Sequence, residues 1–306
     1  MSFIQGQQQE QDQCIDHPCK GIDLLIRPGK KDLGGFTVRR CLPHPQRRLV
    51  GPWIFFDHAG PSQLPAGEGV DVRPHPHINL ATVTYMFEGQ FQHKDSLGND
   101  LAIQPGDINL MVAGKGIVHS ERSPDSERQK DATLHALQLW LALPEQDQEI
   151  DPAFFHYEAN EIPQVDFDGI PIRVMMGHAF GVTSPVKTFA ETLYLESRLQ
   201  PGQSLPLPEA EERAVYVAEG EVEIDGETVP EHAMAVLTSK PGLAAKAIKP
   251  SKIALIGGEN VGERHIWWNF VSTSKARIER AKQDWQAGNF PAVPGDDEEF
   301  IPLPEK

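Results

Sequence analysis

Apolar residues fall in short alternating runs along most of the chain: "LATVTYMF", "LHALQLWLAL", "IPIRVMM", "ETLYLESRL", "AVYVAEGEVEI" and "KIALIGG", with Gly and Pro between them. Alternation with a period of two sends one face of a strand to a core and the other to solvent. Many short strands between turn signals predict an all-β fold, a sandwich or a barrel. Only near the C-terminus does the period change. In "STSKARIERAKQDWQAG", Ser272 to Gly288, hydroxyl residues can cap a helix, Ile278, Ala281 and Trp285 share one face, and Gly288 stops it.

A chain of 306 residues is longer than one hydrophobic core usually supports, so two domains are expected. "LPEQDQEIDP", Leu143 to Pro152, is the junction, a polar stretch bracketed by prolines. It divides the chain into a mobile segment 1–20, a first domain 21–146 and a second domain 147–306 carrying the helix and tail. A weak internal repeat supports duplication: "TYMFEGQFQH" from Thr84 aligns with "VYVAEGEVEI" from Val215, placing Glu88-Gly89 on Glu219-Gly220. Each copy reads as a strand, a Glu-Gly turn and a strand.

With 28 basic and 44 acidic side chains the formal net charge is -16, which repels nucleic-acid backbones and anionic lipid; no direct nucleic-acid or membrane partner is expected. The start "MSFIQGQQQEQDQ" has neither the basic nor the apolar region of a signal peptide, and no long apolar run follows, so the cytoplasm is the expected location. Cys14, Cys19 and Cys41 are too few for a disulfide framework, and Cys14, His17 and Cys19 lack a second ligand pair at zinc-finger spacing.

The chemistry lies in "RPHPHINL" and "KGIVHSER". His75 and His77 are two apart and project from one face of a strand, while Pro74 and Pro76 mark an edge or a barrel mouth because neither donates a ladder hydrogen bond. His119 and Glu121 repeat the spacing. A lone buried histidine is ordinarily a satisfied core residue. Two such pairs on neighbouring strands can instead close a site of three imidazoles and one carboxylate, a donor set that suits iron, nickel, copper, zinc, cobalt or manganese. In the alignment His75 and His77 fall opposite Pro206 and Pro208, so one metal per chain, in the first copy, is expected. His58, His93 and His265 have no partner at ligand spacing; His58 is placed at the barrel mouth, His93 on the hairpin and His265 in sheet packing. Asp57, His58, Asn79, Gln92 and Lys115 are candidates to orient the ligands, and Trp53, Phe56 and Met111 are read as core before walls of a site.

These residues, with "GPWIFFDHAGP", "IQPGDINLMVAGKGIVHSER", "ERAVYVAEGEVEIDG" and "ERHIWWNFVSTSKARIERAKQDWQAGNFP", resemble the pirin family of the cupin superfamily over nearly all of the chain after residue 20. The resemblance implies a bicupin: two antiparallel β-barrel (jelly-roll) domains with a short C-terminal helix, the first holding a single divalent metal, Fe(II) in most pirins, the second degenerate. The family's ligands fall on His75, His77, His119 and Glu121. The glutamate that many cupins place soon after the histidine pair would fall on Ala81 or Thr82, neither of them acidic. Pirin-like proteins that cleave flavonols with dioxygen suggest a quercetin 2,3-dioxygenase, with an aromatic flavonol-like substrate and Glu121 as the catalytic carboxylate. A regulatory protein that changes a protein partner's behaviour with its metal state is the alternative. Another cupin oxygenation or isomerisation would use the same ligands. Related pirins imply a monomer.

Overall fold

The computed structural model describes residues 15–16, 21–32 and 36–305. Cys14, His17 and Cys19, and all but two residues of segment 1–20, lie outside them. Antiparallel strands form two units of one plan, each a large sheet facing a four-stranded sheet. In the first unit the large sheet runs, in spatial order, Ala153–Tyr157, Ile108–Val112, Leu80–Glu88, Ala132–Ala142, Trp53–Leu64, Thr37–Leu42 and Lys30–Asp32. Its smaller sheet runs Asp71–His77, Ile117–Arg122, Phe91–Asp95 and Asp100–Ile103. Asp71–His77 is an edge strand, the position where Pro74 and Pro76 cost no ladder bond.

The second unit repeats this, with Ser204–Pro206, Ala244–Ala247, Glu221–Ile224 and Glu227–Pro230 as its smaller sheet. Both Glu-Gly turns recur: Gly89 has φ of +78° and Gly220 of +85°, and a Cβ there would stand 2.4 Å from the carbonyl oxygen of Thr133 and 2.2 Å from that of Pro250. Only glycine fits either turn.

Two strands pair across the junction expected near residue 147. Ile22–Ile26 pairs with Met234–Leu237 in the second large sheet, and Ala153–Tyr157 pairs with Ile108–Val112 in the first. Each unit thus covers an edge of the other's sheet, which removes an exposed strand edge. The large sheets pack face to face through Trp53, Phe56, Val83, Leu139, Tyr194, Ala254 and Ile256. Trp53 also donates its indole N–H toward the carbonyls of Leu193 and Gly257, at 3.2 and 3.1 Å. Trp53 and Phe56 are therefore core between the barrels, and Met111 is core beside Phe55 and Trp140.

The barrel interiors differ. In the first, His75 stands opposite His119 in the strand register; in the second, Leu205 stands opposite Ala245. The counterparts of His75, His77, His119 and Glu121 are Leu205, Leu207, Ala245 and Ala247, all buried without a ligand atom. Pro206 and Pro208 are one position off that face, because strand and hairpin align with a one-residue offset.

The predicted helix is Lys275–Gln286, with the Ser274 hydroxyl accepting from the Arg277 N–H at 3.3 Å and Ile278 and Ala281 buried. Beyond it the chain lies along the outer face of the smaller first sheet, where the Ile301 N–H donates to the Pro74 carbonyl at 2.8 Å. No helix among the described residues is long and apolar enough to cross a membrane.

Candidate metal centre

Antiparallel pairing sets His119 directly across from His75 and Ile117 across from His77. Alternation then turns His75, His77 and His119 to one side, into the barrel. Their ring centroids lie 4.4 Å (His75 to His119), 5.1 Å (His75 to His77) and 5.1 Å (His77 to His119) apart. One nitrogen from each lies within 4.8 Å of the other two, and all three residues are fully buried.

Two of the rings are oriented by backbone carbonyls. His75 Nδ1 is 2.8 Å from the oxygen of Arg73, and His77 Nδ1 is 3.3 Å from that of Asn269. A carbonyl accepts only, so each Nδ1 carries the proton and each Nε2 keeps its lone pair. Those Nε2 atoms, and both nitrogens of His119, are buried without a hydrogen-bond partner. Burial, assisted by the neighbouring rings, holds His75 and His119 well below the usual imidazole range, and burial lowers His77 to about 3. Neutral imidazoles with free, converging nitrogens are the metal-binding form, and leaving such atoms unpaired in a dry interior costs stability. The residues present fit a borderline divalent cation.

Glu121 follows on the same strand, buried, but is not part of that mutually close trio. The register slips between His119 and Glu121, whose partners are His75 and Val72, so the opposite strand carries an extra residue there. The carboxylate Oε1 lies 3.3 Å from the Thr84 hydroxyl of the large sheet.

His93 adjoins the site in a way its sequence context did not signal. It stands opposite Glu121 in the register, its ring is 5.3 Å from that of His119 and stacks on Phe154 at 4.4 Å, and its Nε2 is tied to Asp95 at 3.0 Å. An aromatic wall completes the surroundings: Trp140 meets His77 edge to face at 5.0 Å and stacks on Phe55 at 4.0 Å.

Other candidates lie elsewhere. His58 does not line the mouth; it is buried between the barrels, bonded to Tyr216 and His135. Asp57 pairs with Arg40. Asn79, with φ of +58°, clamps the backbone at Gly114 and Gln148 and the Glu149 carboxylate. Gln92 bonds to Asp100 and Lys115 to Asp151, both toward solvent. His265 lies in a two-stranded ribbon with Phe270–Ser272. A cavity of 670 Å³ lined by Arg47, Arg264, Trp267 and Lys275 contains none of the converging histidines.

Two such barrels packed through their large sheets, with histidines converging, among the described residues, in the first alone, define a two-domain cupin of the metal-binding kind. Comparison with known proteins narrows the class. The chain belongs to the pirin family: the Pirin family model matches residues 35–141, and that of the Pirin C-terminal cupin domain matches residues 194–291. A pirin-like protein of Caulobacter vibrioides is 46% identical over 288 residues, covering 93% of this chain and all of that one. A Pseudomonas aeruginosa protein proposed to be a quercetin 2,3-dioxygenase is 38% identical, covering 84% of this chain and 81% of its own. The crystal structure of a quercetin 2,3-dioxygenase from Acinetobacter baumannii superposes with a TM-score of 0.85 at 33% identity, over 92% of this chain and 95% of that one.

Proposed function

We propose that this chain is a metal-dependent dioxygenase that opens flavonols in the manner of a quercetin 2,3-dioxygenase, with His75, His77, His119 and Glu121 holding one divalent transition metal, iron by preference. The observation that carries the reading is the convergence of three neutral, fully buried imidazoles whose ligating nitrogens have no other partner. The two named dioxygenase relatives supply the reaction class.

When bound, the metal acts as a Lewis acid that lowers the pKa of a substrate hydroxyl and promotes reaction with dioxygen. The protein's own groups do the rest. The carbonyls of Arg73 and Asn269 keep the two imidazoles in the ligating tautomer. Trp140, which meets His77 edge to face, and Phe154, stacked on His93, make the surroundings of the histidines apolar, as suits an aromatic substrate. Glu121, a buried carboxylate, takes the hydroxyl proton. In the overall reaction both atoms of dioxygen enter the ester product and the carbon bearing the hydroxyl leaves as carbon monoxide.

The test is metal content by mass spectrometry together with anaerobic quercetin binding and aerobic quercetin loss, on wild type, His77→Ala and Glu121→Ala. About one metal per chain, loss of metal in the variants, and carbon monoxide release only from metal-loaded wild type are the expected results. A fully loaded protein that leaves quercetin and related flavonols unchanged overturns the proposed reaction; a protein that takes up no divalent metal overturns the ligand set.

A further inference from the structure

Thr84 Oγ1 lies 3.3 Å from Glu121 Oε1 and 2.9 Å from Gln138 Oε1. Both neighbours present acceptor oxygens, yet a threonine hydroxyl has one proton to give. Gln138 Nε2, meanwhile, is buried with no acceptor. Turning the Gln138 carboxamide through 180° exchanges its oxygen and nitrogen, which are nearly isosteric. Nε2 then donates to Thr84 Oγ1, and the threonine proton is free for Glu121. The turn exchanges a buried orphan N–H for an under-used carbonyl, which folded proteins tolerate more readily.

We infer that Gln138 and Thr84 form a hydrogen-bond chain, Gln138 N–H to Thr84 O–H to Glu121 carboxylate, that positions Glu121 as the fourth metal ligand. The inference rests on Glu121 being that ligand. The placement suits it. Thr84 and Gln138 are directly opposed on adjacent central strands of the large sheet, and Glu121 reaches them from the smaller sheet. All three are buried, so no competing water bond is available from bulk solvent. The chain holds Oε1 from across the barrel. At the irregular register beside Glu121 the strand alone does not fix the carboxylate's direction, and a bond from the facing sheet does.

The probe is Co(II), whose visible spectrum reports coordination and whose affinity is read by competition with a chelator. Glu121→Ala, Thr84→Val, Thr84→Ser and Gln138→Leu are compared with wild type, and circular dichroism and melting temperature of the metal-free proteins report folding. Thr84→Val is expected to weaken Co(II) binding about 10- to 100-fold and to alter the spectrum, the usual size of losing a group that orients a ligand. Thr84→Ser restores both. Gln138→Leu, which reaches Glu121 only through Thr84, weakens binding in the same direction, and adding it to Thr84→Val brings no further loss, as expected of one chain. If Thr84→Val does not fold, Gln138→Leu and Thr84→Ser decide. Wild-type affinity and spectrum in Thr84→Val or Gln138→Leu, with binding lost in Glu121→Ala, overturns the chain while leaving Glu121 a ligand. Wild-type behaviour in Glu121→Ala removes the premise, and the inference with it.

Discussion

His58 and His135 meet Nε2 to Nε2 at 2.7 Å where the two barrels join, and His58 Nδ1 lies 2.7 Å from the Tyr216 hydroxyl. One imidazole must donate and the other accept, so the accepting ring must be neutral and the two cannot both be protonated. Burial, then the neighbouring His135, Arg39, His232 and Lys252, hold His58 well below its ordinary range, and burial with Lys252 lowers His135 to about 4, against the opposing pull of Glu219.

Acid should therefore open this junction. Free histidine takes a proton near pH 6.5, whereas His135 does so only near pH 4 and His58 is likewise held well below its ordinary range, so the unfolded chain binds more protons below pH 6.5. Stability is retained above pH 6.5 and lost as pH falls toward 4, at up to about 1.4 kcal/mol per pH unit for each ring held neutral. Urea unfolding of the metal-free protein across this range is expected to be steeper in pH for wild type than for His135→Gln. Equal slopes would remove the junction as the cause.

Metal should stabilise the fold measurably, and through His77. A ligand present at 100 times its dissociation constant adds about 2.7 kcal/mol to the native state. Calorimetry is expected to show a higher melting temperature for the loaded wild type than for its chelated form. His77→Ala, lacking one converging Nε2, is expected to melt at the same temperature with and without metal. A wild-type rise in the variant would mean that the stabilising ion sits elsewhere.

What the sequence made legible is bounded by the range over which it speaks. Period-two spacing reveals that His75 and His77 share a face, as do His119 and Glu121, because alternation is a property of one strand. It says nothing about which strand lies beside which. His93 adjoins the site through pairing of Phe91–Asp95 with Ile117–Arg122, and Thr84 and Gln138 reach Glu121 only across the barrel. The same rule also corrects His58: neighbours in a strand face opposite ways, so with Asp57 turned to Arg40 inside the barrel, His58 must turn to the junction. The exchange of Ile22–Ile26 into the second sheet pairs residues over two hundred positions apart, for which no local pattern exists.

Asp57 and Arg40 make a buried ion pair with two bonds, from Nε and Nη2, each of 2.8 Å, and the guanidinium lies 4.4 Å from the centre of the Phe55 ring. Asp57→Asn keeps the shape but removes the carboxylate charge that both of these bonds meet. Breaking one partner of such a pair costs about 3–5 kcal/mol, and replacing both by apolar residues costs much less. Urea unfolding should therefore rank Asp57→Asn well below wild type and the double variant Arg40→Met, Asp57→Leu between them. A single variant as stable as wild type would show that Arg40 finds another anion or reaches solvent.

The tail after the helix is fastened to the strands that carry the three converging histidines. Arg122, one residue beyond Glu121, binds Asp296 through two bonds of 2.8 Å and Glu299 at 2.9 Å, and Trp285 donates to the Ile301 carbonyl at 3.0 Å. The Ile301 N–H in turn bonds Pro74, next to His75. Partial exposure screens these charges, so Arg122→Ala is expected to cost only about 1 kcal/mol in global stability. Its local effect should be larger: the Ile301 amide is expected to exchange with deuterium several-fold faster, roughly as a local opening worth that energy predicts. In 1 M salt, where the screening length is about 3 Å, the difference between variant and wild type should shrink. The Ile301 bond falls on Pro74, one residue from His75, so the tail is tied to the strand that carries two of the three converging histidines. Exchange at Ile301 that is unchanged by Arg122→Ala would assign the fastening to Trp285 and the apolar contacts instead.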